Sequence, residues 1–389
     1  MLKIVLAPDS FKGSLTAPEV CAALARGIAR SAPDAVVRSK PMADGGDGTL
    51  DAVLAAVGDV SARYHARVRG AAGEPVDSAY GIIRDAEGDI AVLEAAQVVG
   101  ITDANAMRHP VERRSTHGLG ELIQILVNDG VRRFSVGLGG SSTNDGGSGL
   151  LAALGVELRD AAGALVEATP AGLARLVSVD AARLDARLAA CEIAIMSDVN
   201  NPLTGTLGAT AIFGPQKGVS AGDIERIDRV LANFALLVQR AFGRFVADRP
   251  GSGAAGGLGF ALQLLGGSVR SGAEVVAERI GLNAALADAD WAITGEGRSD
   301  RQTLLSKAPY VVAQHAKASG VPVTLVSGAV DDTALASLDP HFSGCFGLPN
   351  GPLALDDCIA RAAQLLEARG AELTRLFLAA RSAGGGSVK

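Results

Sequence analysis

Four carboxylates in this 389-residue chain, Asp9, Asp44, Asp198 and Glu296, share one address: each stands just past the C-terminal end of a predicted β-strand. Ligands of open α/β sheets bind outside that edge. A carboxylate there can hold Mg2+ through oxygen or accept the proton of an attacking hydroxyl, although each could equally cap a helix or close an Asx turn. Lys12 and Lys217 stand in Lys-Gly pairs within polar loops, where an ammonium acts as a point charge on phosphate. Arg298 and Arg301 could grip a substrate carboxylate.

The stretch GLGGSSTNDGG, residues 137–147, follows the apolar run Phe134-Ser135-Val136 and leads into the apolar Leu150–Leu154. It therefore reads as strand, glycine loop and helix start, a geometry that presents backbone N–H groups and the positive end of a helix to an anion. Ser141, Ser142, Thr143 and Asn144 add polar side chains, and Asp145 could hold a cation beside a phosphate; a merely tight turn is the competing reading. Residues 251–256 match GxGxxG, but Arg249-Pro250 and a helix precede them where a dinucleotide site needs a strand. No lysine follows a glycine anywhere, so a Walker A loop is absent, as are HRD and DFG.

The elements that must position these residues alternate. Lys3–Ala7 and Val36–Ser39 read as strands, with a helix between them whose Thr16 and Glu19 have capping-box spacing. From Ser61 to Glu94 the pattern changes to strand alternation with one wet face (Arg63, His65, Arg67, Arg69), so His65 reads as a surface residue and the sheet as antiparallel or mixed. Glu192–Met196, Trp291–Thr294, Val321–Val326 and Phe342–Phe346 read as further strands, Ile224–Val238 as a long amphipathic helix, and 355–381 as two final helices. The expectation is an α/β protein of two domains: a discontinuous flavodoxin- or Rossmann-like doubly wound domain, 1–60 and 286–389, carrying an inserted α/β domain, 61–285, with the active site in the cleft between them.

Composition narrows the class. Hydrophobic residues make up 48% and charged residues 20%, which is ordinary for a globular chain. A net charge of -6 argues against nucleic-acid binding. Cys21, Cys191, Cys345 and Cys358 form no CxxC pair, so neither zinc nor a disulfide framework is expected. The apolar start is too short for a signal peptide and no run is long enough to span a membrane, which makes the cytoplasm the expected compartment. The tail from Gly384 onward is expected to be flexible.

Together, APDSFKGSLTAPEV, PMADGGDGT, STHGLGELI, GLGGSSTNDGG, SDVNNPLTG, FGPQKG, GSGAAGGLG and TGEGRSDRQT, in this order, closely resemble the bacterial glycerate kinase family over essentially the whole chain. The resemblance implies an ATP- and Mg2+-dependent kinase that converts D-glycerate to 2-phosphoglycerate. The chain departs from the family pattern at Asp47, His117, Asn200 and Arg301. On this reading Asp198, Asp44, Lys217 and Lys12 are catalytic, and Asp198 and Asp145 hold metal, with base and metal-ligand roles unseparated for Asp198. Gly139, Gly140, Ser141, Ser142, Thr143, Asn144, Gly253, Gly256 and Glu296 bind the nucleotide; Asp9, Ser10, Lys12 and Arg298 bind the acceptor. The expected partners are small molecules, with neither nucleic acid nor membrane, and a homodimer is left open. Formation of 3-phosphoglycerate, another small hydroxy acid, an NAD-dependent oxidoreductase and a non-catalytic nucleotide-binding regulator are the alternatives.

Overall fold

The structure, a computed structural model, describes residues 1–384. The expected flexible tail lies outside the described residues from 385 onward, whereas Gly384 closes the last helix, Ala362–Gly384. The chain forms two compact units. The first comprises Met1–Asp44, Asp51–Gly58 and the chain from Ala273 onward; the second comprises Gly45–Leu50 and Asp59–Gly272.

In the first unit five parallel strands lie in the order Gly344–Gly347, Val323–Ser327, Trp291–Thr294, Lys3–Leu6, Val36–Ser39. Ile4, Val5 and Leu6 are buried in succession because the central strand is covered on both faces. The winding reverses beside Lys3–Leu6, so the switch point of the sheet lies between that strand and Trp291–Thr294. The helix Ala17–Ser31 starts at Thr16 with the anticipated capping box: the Glu19 carboxylate accepts the Thr16 N–H at 2.8 Å. Trp291 stacks on Phe377 of the last helix at 4.7 Å between ring centroids, and its indole N–H donates to Thr324 Oγ1 at 3.0 Å, so the large ring is buried without an orphaned donor.

The chain re-enters this unit at Ala273, ahead of the position 286 drawn from sequence. A side-chain clasp accounts for the difference. His315, on the helix Ala308–Ala318, lies 3.0 Å from Glu274 and 2.6 Å from Asn283, which ties the helices Gly272–Arg279 and Leu282–Leu286 to it.

The second unit holds a six-stranded mixed sheet in the order Ser268–Arg270, Glu192–Met196, Arg133–Gly137, Gly88–Glu94, Pro75–Asp85, Ser61–Arg69. The first four run parallel, and the last two add antiparallel strands. His65 is an exposed residue of the edge strand, 3.3 Å from Asp77. The helix Ile224–Phe242 buries Ile227, Leu231, Phe234 and Val238 at helical spacing and stops at left-handed Gly243. The short segment Gly45–Leu50 belongs here because buried Glu94 accepts the Leu50 N–H at 2.6 Å. No helix among the described residues is long and apolar enough to cross a membrane.

Candidate active site

In the first unit the expected carboxylates gather at the carboxyl edge, around the switch point. Asp9 follows Lys3–Leu6, and its N–H donates to Gly295 O at 2.8 Å, which joins its loop to the one carrying Glu296. Asp44 is brought alongside by the Met42 N–H, which donates to Pro8 O at 2.8 Å. Burial, then the neighbouring Asp44 and Glu296 carboxylates, push Asp9 up to about 7, against a hydrogen bond from the Ser10 N–H.

Glu296 is 7% exposed. Its Oε1 accepts the hydroxyls of Ser299 at 3.0 Å and Thr303 at 2.6 Å, and Ser299 is itself fixed by Ser327 at 2.7 Å. Its Oε2 faces Lys307 Nζ at 3.8 Å. Burial raises its pKa, and the hydroxyls and the ammonium oppose that rise. Lys12 and Arg301 are exposed, and Arg298 is exposed and drawn onto Asp331 at 3.2 Å. Ser10 sits beside Asp9 and is half-buried.

In the second unit the glycine loop is shaped by other backbone. A Cβ on Gly139 would come within 2.5 Å of Gly46 Cα, and one on Gly256, which is also left-handed at φ +67°, within 2.1 Å of Thr143 O. The Gly146 N–H donates to Gly256 O at 2.9 Å, so the segment 251–257 is a wall of this loop. This corrects the expectation for Gly253 and Gly256. Gly253 donates its N–H to Asn201 O at 2.9 Å and Gly256 packs on residues 143–146, so the two glycines are accounted for by shaping the loop, and no strand precedes them as a dinucleotide site requires.

Lys217 is 2% exposed, and its Nζ donates to Ser141 Oγ at 3.0 Å and Thr143 O at 2.8 Å. Buried Arg114 donates to Ser142 O at 2.9 Å and to Lys217 O at 3.0 Å, anchoring the same turn. Burial drives Lys217 down to about 7, the Asp145 charge resists, and Arg114 adds to the fall.

Asp145 is also corrected. Its Oδ2 accepts from Thr116 N, Thr116 Oγ1 and Gly149 N at 2.8, 2.8 and 3.1 Å, and its Oδ1 from Gly147 N at 3.0 Å. A carboxylate so buried and so occupied fixes Thr116 at the start of the helix His117–Asn128 and caps the first turn of Ser148–Ala153, so its oxygens are spent on protein donors rather than on a cation. Ser142 is likewise consumed by Val99 O, to which its hydroxyl donates at 2.9 Å. Gly139 and Gly140 form the rim that reaches solvent; inside it the oxygens Thr143 Oγ1, Asn144 Oδ1 and Ser148 Oγ have no protein partner. Asp198 is exposed, two residues beyond Glu192–Met196.

Sequence reasoning missed Arg114, Thr116, Ser299, Thr303, Ser327 and Lys307. Ser299 and Thr303 had a signal, hydroxyls three and seven residues after a glutamate in a turn; Arg114 and Ser327 had none, because their partners are distant in sequence.

The model of the glycerate kinase family matches residues 4–378. The chain belongs to the glycerate kinase family. Among the relatives of the family, the glycerate kinase of Bacillus subtilis (strain 168) is 38% identical over 373 residues, covering 94% of this chain and 95% of that one. The glycerate 2-kinase of Escherichia coli (strain K12) is 39% identical over 363 residues, covering 89% of this chain and 94% of its own. A solved structure of a candidate glycerate kinase 2 from Salmonella typhimurium LT2 superposes with a TM-score of 0.86 at 39% identity, covering 98% of this chain and 99% of that one.

Proposed function

We propose that this chain transfers the γ-phosphoryl group of ATP to the 2-hydroxyl of D-glycerate, giving 2-phosphoglycerate and ADP. The acceptor and the position of transfer come from the glycerate 2-kinase relative. The observation that carries phosphoryl transfer is Lys217, an ammonium buried at the centre of a glycine loop beside the hydroxyls of Thr143 and Ser148, which lack protein partners. Such a loop, with Gly139, Gly140, Ser141 and Thr143, offers positive charge and donors to phosphate oxygens, while Asn144, whose amide nitrogen is held by Thr210, leaves its oxygen facing the same loop as an acceptor.

In the reaction the acceptor oxygen bonds to the γ-phosphorus, and the bond from that phosphorus to the bridging oxygen of the β-phosphate breaks. The hydroxyl proton passes to a carboxylate, for which we assign Asp198 or Asp44. Positioning and charge neutralisation dominate such transfers, and a general base adds at most about a hundred- to ten-thousand-fold.

Mg2+ fits the donor chemistry of Asp198, an exposed carboxylate, because the ion needs only one or two protein carboxylates when phosphates complete its shell. The ion would neutralise charge on the triphosphate. In the first unit, the strand order that reverses beside Lys3–Leu6 is that of flavodoxin-like sheets, and Asp9 and Ser10 at the switch point are assigned to the acceptor. ATP as donor fits a cytoplasmic enzyme.

A coupled ADP-release assay with D-glycerate, followed by phosphorus NMR of the product, tests this reading. ADP release with a 2-phosphate product is expected. No ADP release, or a 3-phosphate product, overturns it.

A further inference from the structure

Glu296, assigned to the nucleotide from sequence, has surroundings suited to a different ligand. Two hydroxyls fill Oε1, and the Ser299–Ser327 contact keeps the carboxylate from swinging. Oε2 is left facing Lys307 at 3.8 Å, beyond hydrogen-bond distance, so the contact is Coulombic and both groups keep hydrogen-bonding capacity. The edge around them is acidic, with Asp9 feeling the charges of both Asp44 and Glu296, and with Asp300 acting on Glu296, and it repels any anionic acceptor unless a cation receives it. Arg298 is drawn away to Asp331, whereas Lys307 is half-buried and directed at Glu296. The backbone helps to place it: Ser306, immediately before it, is held left-handed at φ +58°, a conformation that favours glycine.

We infer that Lys307 and Glu296 together bind the hydroxy-acid acceptor, the ammonium taking its carboxylate and Glu296 Oε2 accepting a hydrogen bond from one of its hydroxyls. A fixed carboxylate beside an ammonium is the complement of a molecule that carries a hydroxyl beside a carboxylate. The pair therefore selects small hydroxy acids over neutral polyols, a task that sequence reasoning gave to Arg298. This rests on the kinase reading for the identity of the acceptor, but binding can be measured without turnover.

Calorimetric titration of the full chain with D-glycerate and, separately, with ATP tests the pair in wild type, Lys307→Met, Lys307→Arg and Glu296→Gln. Loss of one charged contact predicts about ten- to a hundredfold weaker D-glycerate binding in Lys307→Met. In Lys307→Met ATP binding should be unmoved and the discrimination against glycerol largely lost, with partial recovery of glycerate affinity and of that discrimination in Lys307→Arg. D-lactate lacks the 3-hydroxyl and 3-hydroxypropanoate the 2-hydroxyl; Glu296→Gln should erase the wild-type preference for glycerate over one of them, which identifies the hydroxyl held. Should Glu296→Gln fail to fold, the lysine variants still decide the matter. Unchanged glycerate affinity in Lys307→Met, or an equal loss of ATP, overturns the inference and leaves the kinase reading intact. Glycerate binding that depends on Lys307 without any ADP release does the reverse, and a wild type that does not bind glycerate overturns both.

Discussion

The carboxylate edge of the first unit and the glycine loop of the second both keep charge out of bulk water, and they do so by different means. At the edge, side chains hold side chains: Ser299 and Thr303 hold Glu296, and the charges of Asp44 and Glu296 bear on Asp9. In the loop, backbone holds backbone, with Gly139 against Gly46 and Gly256 against Thr143, and the buried charges Asp145 and Lys217 are occupied in stapling it. The difference teaches where each region is vulnerable. A proton can change the edge without changing the fold, whereas a single methyl group can spoil the loop.

The sharpest way to break this contrast is Gly256→Ala, whose added carbon would sit 2.1 Å from Thr143 O at a left-handed φ. A loss of at least ~3 kcal/mol is expected in urea unfolding. Gly218→Ala, also left-handed at φ +92° but with nothing within 4 Å, is the control, at about 1–2 kcal/mol. Equal costs at the two positions would mean that close approach does not shape the loop.

Next in size is Asp145→Asn, which sets an amide against backbone N–H groups and removes the counter-charge of Lys217. About 3–5 kcal/mol of stability should be lost. Because the Asp145 charge favours protonated Lys217, the pKa of the lysine should drop further below about 7, and the alkaline limb of kcat/KM should move to lower pH. An unmoved limb would detach Lys217 from the reaction.

Asp198→Asn probes an exposed carboxylate, so its melting temperature should stay that of wild type. Its kcat should fall by roughly a hundred- to ten-thousand-fold, with a much smaller change in the KM for D-glycerate. Wild-type turnover would remove Asp198 from the chemistry.

The smallest effect is expected for Asp9→Asn. Asp9 titrates at about 7 in the folded chain and near 3.8 unfolded, so between those values the folded state binds the extra proton and stability declines as pH rises. The variant lacks that slope, and above pH ~7 it should melt a few degrees higher than wild type. Coincident melting curves across pH would show that the carboxylates of the edge do not strain it.

Much of the frame was legible because it is local. Strands such as Trp291–Thr294 and Glu192–Met196 announce themselves by apolar runs, Thr16 and Glu19 by capping spacing, and Gly243 by its place after the last apolar residue of a long helix. Asp9 and Glu296 were found because strand ends can be read from one dimension and ligands favour them. Asp145 was misread for the same reason that it was noticed. A carboxylate in a glycine loop looks like a metal ligand until Thr116, 29 residues away in sequence, is seen to fill it.

By itself, then, the sequence determined the order of strands and helices, the family and the residues that carry charge, since each depends on neighbours within a few positions. The tertiary structure alone decided which of those charges are available. Whether a carboxylate binds a ligand or staples a loop depends on donors that arrive from remote segments. The desolvation that brings Asp9 and Lys217 both to about 7 depends on how completely the folded chain surrounds them.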